Sequence, residues 1–221
     1  MAAQVDDRPV QVPIGDASLA GDLRIPNASR AIVVFAHGSG SSRLSPRNRF
    51  VADVLVHDGL ATLLIDLLTQ DEESIDIQTA ELRFNIPLLA ERLGGVTEWL
   101  ATVPQAMALS VGYFGASTGA AAALIAAADR PDKVGAIVSR GGRPDLALPV
   151  LRRVRQPTLL IVGGADDLVL DLNRQALREL AGPKQLAIVP GATHLFEEPG
   201  ALEQVAALAS DWFRRHLADR G

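Results

Sequence analysis

Two kinds of hydrophobic patterning divide this chain. Near the start, Val10-Gln11-Val12-Pro13-Ile14 and Ala17 to Ile25 alternate apolar and polar positions around Gly15-Asp16. Alternation with period two, interrupted by a turn dipeptide, predicts a β-hairpin with one covered face. From Ala31 onward continuous apolar runs replace the alternation, at Ala31 to Ala36, Ala61 to Leu67, Ser110 to Phe114, Val134 to Val138, Thr158 to Val162 and Gln185 to Val189. Such runs predict strands covered on both faces, the pattern of a mostly parallel sheet. Helical patterns fill the gaps, at Pro46 to Asp58, Ile77 to Thr102, Thr118 to Arg130, Leu170 to Ala181 and Gly200 to Leu217. Pro46, Pro131 and Pro183 fall at helix edges, where a missing N–H does least harm. Strands and helices therefore alternate, and the expected fold is a doubly wound α/β sheet of about seven or eight strands with helices on both faces.

Two segments refine that picture. Pro104 to Ala128 carries no charged residue and is long enough to suggest a membrane span. Its glycines, Ser117 and the change from β-type to helical composition describe instead a central strand followed by a buried helix. The interval between the strands near Ile137 and Leu160 is too short for an inserted helical lid, so the crevice is expected to be open. Asp71-Glu72-Glu73 is expected to be a solvated loop tip.

Composition narrows the function. At 221 residues the chain can bury one substantial core, and a single domain over 1–221 is the expectation. A formal charge of −5 argues against a nucleic-acid partner and for a small molecule. With no cysteine there is no disulfide framework, thiolate metal site or cysteine nucleophile. Met1 to Val12 lacks the features of a secretory signal, so a cytoplasmic location is expected. Helix faces are apolar enough to hide an interface, and monomer and dimer both fit.

The chemistry concentrates at the ends of predicted strands. Gly115-Ala116-Ser117-Thr118-Gly119 reads G-x-S-x-G between an apolar strand and an alanine-rich helix. That is the sequence of a nucleophile elbow, a tight turn that holds a serine in a strained conformation and lifts its hydroxyl from the sheet. A serine hydroxyl attacks an ester at neutral pH only if an imidazole takes its proton and a carboxylate orients that imidazole. Asp166 and His194 each follow an apolar run, in the order Ser, Asp, His, and strand-end loops converge on one crevice. Asp166 is preferred to its neighbour Asp167, which is left to cap the next helix. His37-Gly38-Ser39-Gly40 forms a glycine-rich turn after the first covered strand. The backbone N–H groups of Ser39 and Thr118 are the expected oxyanion donors.

These features make the chain resemble the α/β-hydrolase superfamily over most of Ala17 to Leu217. The missing lid and the phrases from His37 to Arg43 and from Gly191 to Phe196 resemble its dienelactone-hydrolase-related branch. Dienelactone hydrolases use a cysteine nucleophile, where this chain has Ser117. The resemblance implies hydrolysis of an ester, lactone or thioester through an acyl-enzyme, with no metal or organic cofactor. His37 resembles the family's structural histidine, holding the oxyanion turn by hydrogen bonds. The same triad also allows acyl transfer to an alcohol or amine, or a perhydrolase side reaction, and the fold alone allows a non-catalytic binding protein.

Arginines mark the same end of the sheet. Arg43, Arg47 and Arg49 follow the oxyanion turn, and Arg140 and Arg143 follow another strand. Arg43 and Arg140 in particular are expected to hold an anionic substrate, the alternative being pairs with acids such as Asp71, Glu72, Glu73 or Asp145. Asp66, at a strand end, is read as structural, and His57 and His216 are given no role.

Overall fold

A computed structural model describes residues 4–217; residues 1–3 and 218–221, the ends of the expected unit, lie outside the described residues. The alternating segment forms the hairpin β1 (Val5–Ile14) and β2 (Ala17–Pro26), with Ile14 paired to Ala17 across Gly15. Gly15 has φ 56°, the left-handed backbone such a turn requires. Val12 sits opposite Leu19 on the covered face, and both are fully buried.

The continuous runs form β3 (Ala31–Ala36), β4 (Ala61–Ile65), β5 (Ser110–Ala116), β6 (Val134–Arg140), β7 (Thr158–Gly163) and β8 (Lys184–Val189). The eight strands lie in the order β1-β2-β4-β3-β5-β6-β7-β8. β1 and β2 pair antiparallel, as do β2 and β4, and every later pairing is parallel. The chain leaves β3 to build β4 on one side and β5 on the other, so the crevice lies where the winding reverses, at the carboxyl ends of β3 and β5.

Helices cover both faces. α1 (Pro46–His57) and α6 (Ala201–Leu217) pack on one, against Val33, Phe35, Phe114 and Val138. α3 (Ile86–Leu100) and α4 (Thr118–Asp129) pack on the other, with Ala176 and Leu180 at the C-terminal end of α5 (Asp167–Glu179). Opposite burial by alternate strand residues is why β3 to β7 read as unbroken apolar runs; β8 differs from expectation, because it lies at the sheet edge and is largely exposed, with Ile188 44% accessible. The interval after β6 holds a 3₁₀ segment, Pro144–Arg153, that buries Ala147 and Leu151 and inserts no lid. Among the described residues no helix is long and apolar enough to cross a membrane.

One expected helix is two. Ile77 to Thr102 is divided between α2 (Gln70–Thr79), a 3₁₀ turn at Leu82–Phe84, and α3. Asn85 caps α3 and Pro87 stands in its first turn, where the missing N–H blocks continuation from upstream. The Asp76 carboxylate closes the break by accepting the N–H groups of Leu82 (2.7 Å) and Arg83 (3.0 Å). Asp71, Glu72 and Glu73 are accordingly the first turn of α2, where carboxylates complement the helix dipole, rather than a loop tip. Thr69 and Glu72 form a capping box there.

Candidate active site

Ser117 lies between the last residue of β5 and the first of α4, with φ 50° and ψ −119°. A positive φ on a serine is strained, and the surrounding backbone holds it in place. Its N–H donates to the Arg140 carbonyl (3.2 Å), and its carbonyl accepts from Ala120 (3.1 Å) and Arg143 (3.0 Å). Both flanking glycines are steric necessities. A Cβ on Gly115 would lie 2.4 Å from Ala120 Cα, and one on Gly119 2.2 Å from the Ala36 carbonyl oxygen. The pentapeptide is thus a close approach of strand, helix and the backbone of Ala36 and His37 around one half-buried serine.

Asp166 and His194 meet. Asp166 Oδ2 lies 2.7 Å from His194 Nδ1, the distance of a strong hydrogen bond between Nδ1–H and a carboxylate. Asp166 occupies the cap position of α5, but its side chain makes no capping bond because it is turned to His194. Asp167 is the first residue of α5 and exposed, so it does not serve as the cap. The His194 ring lies beside Gly141, 3.5 Å from where a Cβ would stand, and Gly141 follows the residue whose carbonyl takes the Ser117 N–H. Among the described residues no hydrogen bond joins Ser117 Oγ to His194.

The turn His37-Gly38-Ser39-Gly40 is held from below. His37 Nε2 accepts the Leu67 N–H (3.2 Å), which leaves the proton on Nδ1 to donate to the Gly38 carbonyl (3.0 Å). Thr118 stands at the first position of α4, where a backbone N–H has no intrahelical partner. Ser39 is arranged differently from expectation. Its N–H donates to Thr118 Oγ1 (2.8 Å), because the buried threonine hydroxyl projects from the start of α4 onto the turn. A cavity of about 320 Å³ opens beside this turn, between His37 to Ser42 on one wall and Glu73, Ile77 and Arg83 on the other.

The two arginines expected to hold an anion part company. Arg43 is committed to carboxylates. Its guanidinium pairs with Asp66 and lies 3.6 Å from Asp22, and its N–H donates to Asp66 Oδ1 (2.6 Å). These partners outweigh burial and raise its pKa. Neither aspartate is among the acids expected as partners, since Asp22 comes from the hairpin and Asp66 from the end of β4. Arg143 forks onto Asp145 at 2.9 and 2.8 Å, as the alternative reading has it. Arg47 pairs with Glu197 (3.1 Å) and Arg49 with Asp22 (3.0 Å). Arg140 is only 8% exposed, and among the described residues its side chain makes one hydrogen bond, to Asn48 Oδ1 at 3.5 Å.

Two supporting contacts have no local sequence signal. Arg92, buried on α3, pairs with Glu72 and donates to the Leu67 carbonyl (2.8 Å), tying α2 to the body of the protein. That hydrogen-bonded guanidinium holds Glu72 down to about 2 against the cost of burial. Asn173 donates to the Gly142 carbonyl (2.9 Å) and so pins the turn beside His194.

The chain matches the model of the dienelactone hydrolase family over residues 19–218. It is similar to a dienelactone hydrolase from Anabaena variabilis, at 60% identity and a TM-score of 0.96, covering 97% of this chain and 99% of that one. Est1E from Butyrivibrio proteoclasticus shares the fold at 14% identity and a TM-score of 0.80, covering 96% of this chain and 99% of its own. A Mycobacterium tuberculosis protein named "Putative phosphoribosyl transferase" is 60% identical over 97% of this chain. The chain spans about half the length of that relative, 48%.

Proposed function

This chain belongs to the dienelactone hydrolase family, a family of hydrolases, and from that premise we propose that it is a serine hydrolase of carboxylic esters, lactones or thioesters. The hydrogen bond from His194 to Asp166, with the His194 ring against Gly141 and the carbonyl of the preceding Arg140 holding the N–H of a serine with positive φ, is the observation that carries the reading. Ser117 Oγ attacks the substrate carbonyl carbon while His194 Nε2 takes its proton. Asp166 accepts Nδ1–H, fixes the tautomer and stabilises the imidazolium. Negative charge developing on the carbonyl oxygen is met by the Thr118 N–H, joined by the Ser39 N–H as it leaves Thr118 Oγ1. His194 then protonates the leaving alcohol or thiol, and the acyl group stays on Ser117. Water attacks that ester in turn, giving its proton to His194, which passes it to Ser117 Oγ as the acid departs.

No step calls on a metal or an organic cofactor. The cavity beside the oxyanion turn is the natural place for the acyl or leaving group.

The test is turnover of p-nitrophenyl acetate at pH 7.5 by the protein and by Ser117→Ala and Asp166→Asn, with folding checked by circular dichroism. Ser117→Ala should lose at least about a thousandfold in kcat/KM and Asp166→Asn about as much. A folded Ser117→Ala variant with undiminished turnover would overturn the reading.

A further inference from the structure

Arg140 is a buried cation whose charge nothing in its surroundings answers. Its side chain leaves the end of β6 on the face covered by α1, where Nη2 approaches Asn48 Oδ1 at 3.5 Å. Nε and Nη1 are sealed from solvent and have no hydrogen-bond partner. Among the described residues no carboxylate lies within ion-pair distance of it, and the charged neighbour acting on it is another cation, Arg47, already paired with Glu197. Burial first, and Arg47 second, pull its pKa down to about 10, which leaves it protonated at neutral pH.

A second source of positive potential points at the same place. Asn48 is the third residue of α1, and the first turn of that twelve-residue helix contains no acidic side chain. Helix N-termini attract anions through free N–H groups and aligned peptide dipoles; in α1 Pro46 has no N–H and the Asn48 N–H donates to Ser45 Oγ (3.4 Å), so the attraction here is chiefly that of the dipole. A guanidinium offers five donors in a fixed plane that suits carboxylate and phosphate, and here one of them is used, at the limit of bonding distance.

We propose that Arg140, Asn48 and the first turn of α1 form a binding site for a compact oxyanion of the phosphate or carboxylate type. The site is one strand from the elbow: Ala116 pairs with Arg140 across β5 and β6, and the Arg140 carbonyl holds the Ser117 N–H. Two sources supply such a group, a free anion in solution or an acidic substituent on the substrate, and the chemistry that recognises them is the same.

Binding is tested first, without reference to activity. The full chain is titrated with sodium phosphate, with ionic strength held constant by sodium chloride, and thermal unfolding is followed. A rise of about 3 °C near ten times the dissociation constant, growing further with the logarithm of phosphate concentration, is expected. Arg140→Gln and Arg140→Met should lose that rise. An equal rise in either folded variant, or no difference between phosphate and chloride in the wild type, overturns the site. Should neither variant fold, the ³¹P line width of phosphate with wild-type protein decides: broadening that succinate reverses supports the site, and an unchanged line overturns it.

Kinetics then separates the sources, and this arm rests on the hydrolase reading. For a substrate substituent, phosphate competes with p-nitrophenyl hemisuccinate, and Arg140→Gln raises its KM about tenfold more than that of p-nitrophenyl acetate. For a free anion, phosphate stabilises the protein and shifts neither KM. Absent turnover with an intact phosphate response would sink the hydrolase reading and leave the oxyanion site standing.

Discussion

Arg43 and Arg140 stand on opposite sides of the elbow strand, one on the loop after β3 and the other at the end of β6. By sequence they look alike, each an arginine following a covered strand. In the folded protein Arg43 is bound by Asp66 and Asp22, while Arg140, the more deeply buried of the two, meets no carboxylate. The rule violated at Arg140 is a costly one, because a buried charge without a partner loses hydration and gains nothing in return. Arg83, Arg92 and Arg143 fall with Arg43, each held by one nearby acid. The contrast teaches that an arginine near a crevice is by default scaffolding, and that the unpaired member of such a set points to a ligand.

The largest effect that would sharpen this comparison lies on the paired side. Asp66→Ala removes the acceptor for both the Arg43 guanidinium and its N–H, and should cost about 3 kcal/mol in urea unfolding at pH 7. A cost below about 1 kcal/mol would make Arg43 as free as Arg140 and dissolve the contrast.

Acid should break a second pair. Glu72 is held below its ordinary value of 4.5, at about 2, so its unfolded form takes up the proton first. Its contribution is therefore complete above about pH 4.5 and is lost as the pH falls toward 2, a change of about 2 kcal/mol. Glu72→Gln should be less stable at neutral pH and lack that part of the acid slope, as equilibrium unfolding from pH 6 to 2.5 will read.

On the unpaired side the sign reverses. Arg140→Met exchanges an uncompensated buried charge for an apolar chain, and in phosphate-free buffer should raise stability by about 1 kcal/mol, or roughly 2–4 °C in Tm. A fall of that size would show that Arg140 is satisfied by the fold itself. The smallest effect is expected at Arg143, whose pair with Asp145 is part exposed: Arg143→Ala should change stability by no more than about 0.5 kcal/mol.

These differences also mark where sequence reasoning stops. The strand-end positions of Ser117, Asp166 and His194 were legible because each follows an apolar run; the runs before Ser117 and Asp166 are covered strands, whereas the one before His194 is the largely exposed edge strand β8. The choice of Asp166 over Asp167 agrees with the 2.7 Å contact to His194, although the capping role given to Asp167 does not hold. The pairing of Arg43 was not legible, since Asp22 reaches it only through the antiparallel register of β2 against β4. The division of Ile77 to Thr102 was hidden for a similar reason. Apolar spacing runs on through Leu82 and Ile86, and the break depends on Asp76 accepting N–H groups from beyond its own helix. The engagement of the Ser39 N–H by Thr118 Oγ1 likewise depends on how the turn after β3 meets the start of α4.

The central claim is that Ser117 is an activated nucleophile, and covalent labelling tests it without a known substrate. Wild-type protein and Ser117→Ala are incubated with a fluorophosphonate at pH 7.5 and weighed intact by mass spectrometry. One phosphonyl adduct per wild-type chain, located on Ser117 by peptide mapping and absent from the folded variant, is the predicted result. Folded wild-type protein that takes up no adduct, or takes it up equally in Ser117→Ala, would contradict the account.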